Sequence, residues 1–286
     1  MYNLTMSRAT PNTRVINYYH TKGSKYGYKF ILGGTKHFGY YDQGDNPWNF
    51  NQAMRKMEAL LLRKLDLKNH SKILDAGCGV GDVASYVVQK SNSQVTGVDL
   101  LEFNIEEAQR RGEARGISTK LDFHCGDYTT FVKSDNYFDA IYTMETMVHV
   151  KNTQKALDKF YKILKPNGKL VMFEYSYAGK DGMPGAAYSA LTRVNRLAAM
   201  PGFQKFTHGK LESLLNERGY VAVESEDISE NILPMLKAFS IMAYLPCKAA
   251  SFFNPNHKMA NVMSAVEFYK YRDYIHYNVI SARKPR

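Results

Sequence analysis

Cysteine is scarce in this chain of 286 residues: Cys78, Cys125 and Cys247 are three in number and far apart. No two of them have zinc-ligand or redox-motif spacing, which argues against a disulfide framework and sets the expectation of a reducing, cytoplasmic compartment. A long apolar run is also missing. The longest stretch, Ile232 to Cys247, is interrupted by Pro234, Lys237 and Pro246, too short and too broken to span a bilayer. The opening residues Met1 to Arg8 lack the apolar core of a signal peptide. Acids are the minority charge, with 27 Asp and Glu against 38 Lys and Arg, a net charge of +11. Such an excess suits an anionic partner, whether nucleic acid, a membrane surface or a diphosphate. The basic residues are scattered, however, and read more simply as a solvated surface.

What the sequence does have is a regular core between Ser71 and Glu174. Lys72 to Asp75, Gln94 to Asp99, Lys120 to His124, Phe138 to Tyr142 and Leu170 to Phe173 read as five strands. Helices fit near Asp82 to Gln89, Ile105 to Arg115 and Thr153 to Leu164, the last stopped by Lys165-Pro-Asn-Gly168. That alternation implies parallel strands joined by right-handed crossovers. Beyond it, His208 to Arg218 reads as a helix and Val221 to Glu224 as a strand. Ile232 to Phe253 and Met259 to Tyr271 read as apolar helices, and Tyr274 to Ala282 as a last strand. The expected organisation is one α/β domain over 1–286 with a Rossmann-like sheet and a core at 71–175. A lid segment would occupy 1–51, with cap insertions at 176–205 and 230–272.

The sharpest motif is Leu74-Asp75-Ala76-Gly77-Cys78-Gly79-Val80-Gly81, between a strand and a helix. A dinucleotide site wants a third glycine where Asp82 stands, so that a helix N-terminus faces a pyrophosphate. Carboxylates at Asp75 and Asp82 suit a cationic ligand better. Asp99 ends the next strand roughly 20 residues on, the place of a ribose-binding acid. Asp127, in Cys125-Gly126-Asp127-Tyr128, follows the third strand. Taken together these residues resemble the class I S-adenosylmethionine-dependent methyltransferases, over Lys72 to Glu174. The resemblance implies S-adenosylmethionine as cofactor, with Asp75 and Gly77 at its methionine end, Asp99 on the ribose and Asp127 on the adenine. Tyr19, Gly79, Leu100, Tyr128 and Thr143 complete the expected cofactor contacts, and no metal is expected.

The flanks carry a narrower resemblance. Gly33-Gly-Thr-Lys-His37-Phe-Gly-Tyr40-Tyr41, the preceding Tyr18-Tyr19 and Tyr26-Gly-Tyr28, and the tail Ala282-Arg-Lys-Pro285 resemble sterol C-methyltransferases and tocopherol methyltransferases. So does Tyr142-Thr-Met-Glu145-Thr-Met-Val-His149, although Leu32 stands where that group has a tryptophan. The resemblance points to methylation of a small apolar metabolite of secondary metabolism, terpenoid- or sterol-like, at carbon. Glu145, His149 and His37 are the candidate bases. Each also has a plainer reading: Glu145 as a turn or cofactor residue, His149 as packing at a helix start, His37 as a lid contact. A Met-rich and aromatic cap (Met235, Phe239, Met242, Tyr244, Phe252, Phe253, Met263, Phe268) suits an adaptable apolar pocket, although residues at helical spacing more often form a core or an oligomer contact.

Other functions stay open. Oxygen or nitrogen methylation of an aromatic or alkaloid metabolite would use the same cofactor site. A nucleic-acid methyltransferase is disfavoured, since no Asn/Asp-Pro-Pro-aromatic motif or Pro-Cys nucleophile follows the fourth strand, and no nucleic-acid partner is expected. Asp82 disfavours a dehydrogenase. A non-catalytic cofactor-binding protein, peripheral membrane contact and homo-oligomerisation remain compatible with the sequence.

Overall fold

The structure, a computed structural model, describes residues 11–20, 34–253 and 260–286. Tyr26, Tyr28, Leu32 and Gly33 lie outside the described residues. Short apolar runs form the sheet: β1 (Lys72–Ala76), β2 (Gln94–Asp99), β3 (Leu121–Cys125), β4 (Phe138–Met144), β5 (Leu164–Tyr177), β6 (Val221–Asp227) and β7 (Ile275–Arg283). Their order is β3-β2-β1-β4-β5-β7-β6. The first five are mutually parallel, while β7 runs antiparallel to both β5 and β6. Chain order reverses between β1 and β4, and ligands of open α/β sheets bind beyond the carboxyl ends of strands at such a switch point.

Helices connect the strands. They are α1 (Pro11–His20), α2 (Phe50–Leu65), α3 (Asp82–Ser91), α4 (Glu102–Ala114), α5 (Thr153–Ile163), α6 (Gly185–Leu197), α7 (Lys210–Glu217), α8 (Ser229–Phe253) and α9 (Ala260–Lys270). In α5 the buried residues Thr153, Ala156, Leu157, Phe160 and Ile163 recur at helical spacing, and the Asn152 side chain caps the start through the Lys155 amide. The turn into α3 needs its last glycine. Gly81 has φ +74°, and a Cβ there would lie 2.8 Å from Phe123 and 2.9 Å from Ala108. The core is built from Ile73, Leu74, Val98, Phe138, Ile141 and Leu170 to Phe173, all essentially buried.

The apolar helix expected over Ile232 to Phe253 is α8, which runs for 25 residues through Pro234 and Pro246. Each proline removes one backbone donor, which packing against α9 and β7 compensates. Among the described residues, no helix is long and apolar enough to cross a membrane.

Candidate active site

The glycine turn after β1 is clasped from both sides. Gly77 adopts φ +95°, and a Cβ would fall 2.3 Å from the Thr146 side chain, so no other residue fits there without strain. Thr146 in turn donates its hydroxyl to the Ala76 carbonyl at 2.8 Å. On the other side, the Gly79 amide donates to Asp99 Oδ2 at 3.0 Å. Asp99 Oδ1 accepts from the Leu101 amide and from Asn104, each at 2.9 Å. The acid at the end of β2 is thus held in one orientation by three donors.

Asp75 is buried, accepts from the Tyr142 hydroxyl at 2.7 Å, and has its pKa pushed up to about 7 by burial. Asp127 accepts from the Thr129 amide at 2.8 Å. Tyr128 turns its hydroxyl inward to the Thr146 carbonyl at 3.3 Å and packs its ring on Phe160. These residues, with Tyr19, Gly77, Gly79 and Leu100, line a cavity of about 300 Å³ at the carboxyl ends of β1, β2 and β4. Its wall carries four carboxyl groups, Asp75, Asp99, Asp127 and Glu145, beside Lys36, Lys151 and Lys155, a mixed lining that offers acceptors to a cationic nucleoside and donors to a carboxylate.

Two sequence readings are corrected here. Thr143 does not reach the cavity. It is fully buried in β4 and hydrogen-bonded at 3.1 Å to Glu174, since strand alternation turns it away from its neighbours. Asp82 is not an acid waiting for a cationic ligand. It is paired with Arg111 and with Arg115 at 2.6 Å, and accepts from Thr35 at 2.8 Å. Its charge is spent joining α3, α4 and the segment before β1.

A second cavity of about 290 Å³ adjoins the first. Its walls are apolar: Phe38, Met200, Leu236, Phe239 and Met242, with Phe268 from α9. Five residues line both cavities, namely Tyr19, Lys36, His37, Glu145 and His149. All three candidate bases therefore stand on the shared wall, but none stands idle. Glu145, in a left-handed conformation (φ +58°), accepts from the Phe38 amide at 2.8 Å, from Tyr277 at 2.9 Å and from the Tyr175 hydroxyl. Burial raises its pKa despite these donors.

His149 lies in a short 3-10 turn ahead of α5. Its Nδ1 meets the Ala199 carbonyl at 2.8 Å, which puts the proton on Nδ1 and leaves Nε2 to accept from the Tyr19 hydroxyl at 3.0 Å. Burial pushes its pKa down to about 4, so the ring is neutral. His37 bonds through Nδ1 to the Phe38 carbonyl at 2.9 Å, and its Nε2 lies 3.8 Å from Glu58. Burial opposes its charge, but Glu58 and the carbonyl outweigh that and raise its pKa.

Some contributors escaped the sequence reading. Glu174, fully buried at the end of the sheet core, accepts from the amides of Thr146 and Met147 at 3.1 and 3.0 Å and so shapes the turn that carries Glu145. Burial pushes its pKa up to about 8. An acid closing an otherwise apolar strand was the available signal. Asn104, Tyr175 and Tyr277 gave none.

A family model described as a methyltransferase domain matches residues 73–168. An S-adenosyl-L-methionine-dependent Diels-Alderase of Talaromyces variabilis is 32% identical over 278 residues, 94% of each chain. A sterol 24-C-methyltransferase of Aspergillus fumigatus is 34% identical over 148 residues, which is 52% of this chain and 38% of that protein. In three dimensions, the crystal structure of the 4+2 cyclase SpnF superposes with a TM-score of 0.77 at 24% identity, covering 96% of both chains.

Proposed function

The chain belongs to the class I S-adenosylmethionine-dependent methyltransferases, with S-adenosylmethionine as its cofactor, and from that premise we propose that it closes a ring in a small, linear, apolar polyene by a 4+2 cycloaddition. The observation that carries this reading is the reach of the likeness to the Diels-Alderase. It covers 94% of both chains, including the residues that wall the second cavity. Those walls run from Tyr18 to Phe268, more than the 148-residue match to the sterol methyltransferase can hold.

The site chemistry supports it. A concerted cycloaddition moves no proton, so it needs no base. Its demand is that a flexible chain be folded with its reacting carbons in contact and water excluded. The apolar walls of α8 and α9 suit that task, and the hydrogen bonds that occupy Glu145 and His149 do not obstruct it. In this reading Asp75 receives the cofactor's ammonium, Asp99 its ribose hydroxyls and Asp127 its adenine amino group, alongside Tyr19, Gly77, Gly79, Leu100 and Tyr128. Bound S-adenosylmethionine supplies a fixed positive charge at the edge of the apolar cavity. In this reading the described residues of the expected lid and cap, 11–20, 34–51, 176–205, 230–253 and 260–272, cover a core at 71–175, while 1–10, 21–33 and 254–259 lie outside the described residues.

Carbon methylation of a terpenoid- or sterol-like metabolite is the second reading, favoured by the sterol 24-C-methyltransferase relative. It would call on Glu145, His149 or His37 to remove a proton. The test is mass spectrometry of products after incubation with methyl-labelled S-adenosylmethionine and a panel of linear polyenes. A cyclic product with the substrate's own mass is expected. A product heavier by the labelled methyl would replace the first reading with the second.

A further inference from the structure

Lys36 stands on the wall common to both cavities. Its ammonium lies 4.2 Å from the centre of the Tyr19 ring. Among the described residues, no carboxylate comes within ion-pairing distance of it. The nearby acidic groups act on it only through space, Asp99 chief among them, and burial lowers its pKa. Lys36 is half-buried, and its ammonium, held by one aromatic face, keeps donors to present to a ligand in the cavity.

Glu145 holds three donors and both nitrogens of His149 have partners, while His37 meets the Phe38 carbonyl through Nδ1 and has its buried Nε2, 3.8 Å from Glu58, outside any hydrogen bond among the described residues. The cofactor cavity, by contrast, has further cations at its rim, Lys151 and Lys155, to meet a carboxylate. Apolar sites orient their ligands through a few placed polar groups.

We propose that Lys36 donates a hydrogen bond to a carbonyl oxygen of the substrate, so that the cavity takes a polyene conjugated to a carbonyl rather than a plain hydrocarbon. The assignment rests on reading the second cavity as the substrate site. A hydrogen bond to that oxygen withdraws electrons from the attached double bond and makes it the better partner for an electron-rich diene. It also fixes which end of the chain lies against the cofactor. Lys36 is then a positioning and specificity residue.

The test uses two probes of about ten carbons, a linear conjugated dienone and the diene hydrocarbon of the same length, titrated into protein saturated with S-adenosylmethionine. Wild type is expected to bind the dienone about tenfold or more tightly than the diene. Lys36→Met should bring the two to parity while S-adenosylmethionine affinity, measured separately, stays within about twofold, and Lys36→Arg should keep part of the preference. The preference should also fade as pH climbs through a titration below that of ordinary lysine, a limb absent from Lys36→Met. Equal binding of both probes by wild type overturns the proposal alone. So does a Lys36→Met variant that loses cofactor affinity tenfold and keeps the dienone preference. Binding of neither probe overturns the substrate-cavity reading and this proposal with it.

Discussion

The two cavities are built on opposite principles. The cofactor cavity is walled by short stretches of chain at strand ends, and its acids are oriented by neighbouring amides: Asp99 by Gly79 and Leu101, Asp127 by Thr129. The apolar cavity is walled by side chains that meet only in the folded molecule, such as Phe38, Phe239 and Phe268. Backbone amides and glycine turns, tied together by Tyr142 and Thr146, fix the first, and apolar side-chain packing fixes the second. One fold can therefore keep its cofactor while its cap changes the reaction.

The largest effect expected from disturbing this division is structural. Removing both arginines that face Asp82 would strand a nearly buried carboxylate, at a cost of about 3 kcal/mol in stability. Denaturant unfolding of the Arg111→Ala, Arg115→Ala double variant measures it, and adding Asp82→Asn should recover most of the loss. Next comes Asp99→Ala, expected to weaken S-adenosylmethionine binding by roughly 2–3 kcal/mol in calorimetry. Unchanged affinity would remove Asp99 from the cofactor site.

A subtler effect is pH dependence. Burial raises Asp75 to about 7 and Glu174 to about 8, so the folded apo protein holds protons that the unfolded chain releases near the ordinary carboxylate range. Where the native state binds more protons, stability falls as pH rises. Melting temperature should therefore decline from about pH 5 to about pH 8 and then level, and Glu174→Gln should remove the upper part of the decline. The smallest effect separates the two reactions. Glu145→Gln should keep turnover within about tenfold if ring closure needs no base, whereas loss of a true base costs about 10²–10⁴-fold.

The same division explains what could be read from the sequence. The strand-end acids were legible because a parallel sheet places the carboxyl ends of its strands on one edge, so Asp75, Asp99 and Asp127 had to converge. Thr143 was misplaced because strand alternation sends it to Glu174. Asp82 was misread because Arg111 and Arg115 lie a full strand and helix further along the chain. The spacing of Glu145 and His149 was legible. The donors that occupy Glu145 were not, since Phe38, Tyr175 and Tyr277 reach it from 107, 30 and 132 residues away. The apolar run made the helix over Ile232 to Phe253 legible, and packing against α9 accompanies its passage through Pro234 and Pro246.

Separability of the two cavities is tested most directly by one calorimetric titration. S-adenosylmethionine is titrated into protein carrying Phe239→Leu and Met242→Ala, two changes confined to the apolar wall. Cofactor affinity within about twofold of wild type, in a variant whose ring-closing turnover has dropped, is the expected result. A cofactor affinity that falls in step with turnover would contradict it, because the two cavities would then be one site with shared determinants.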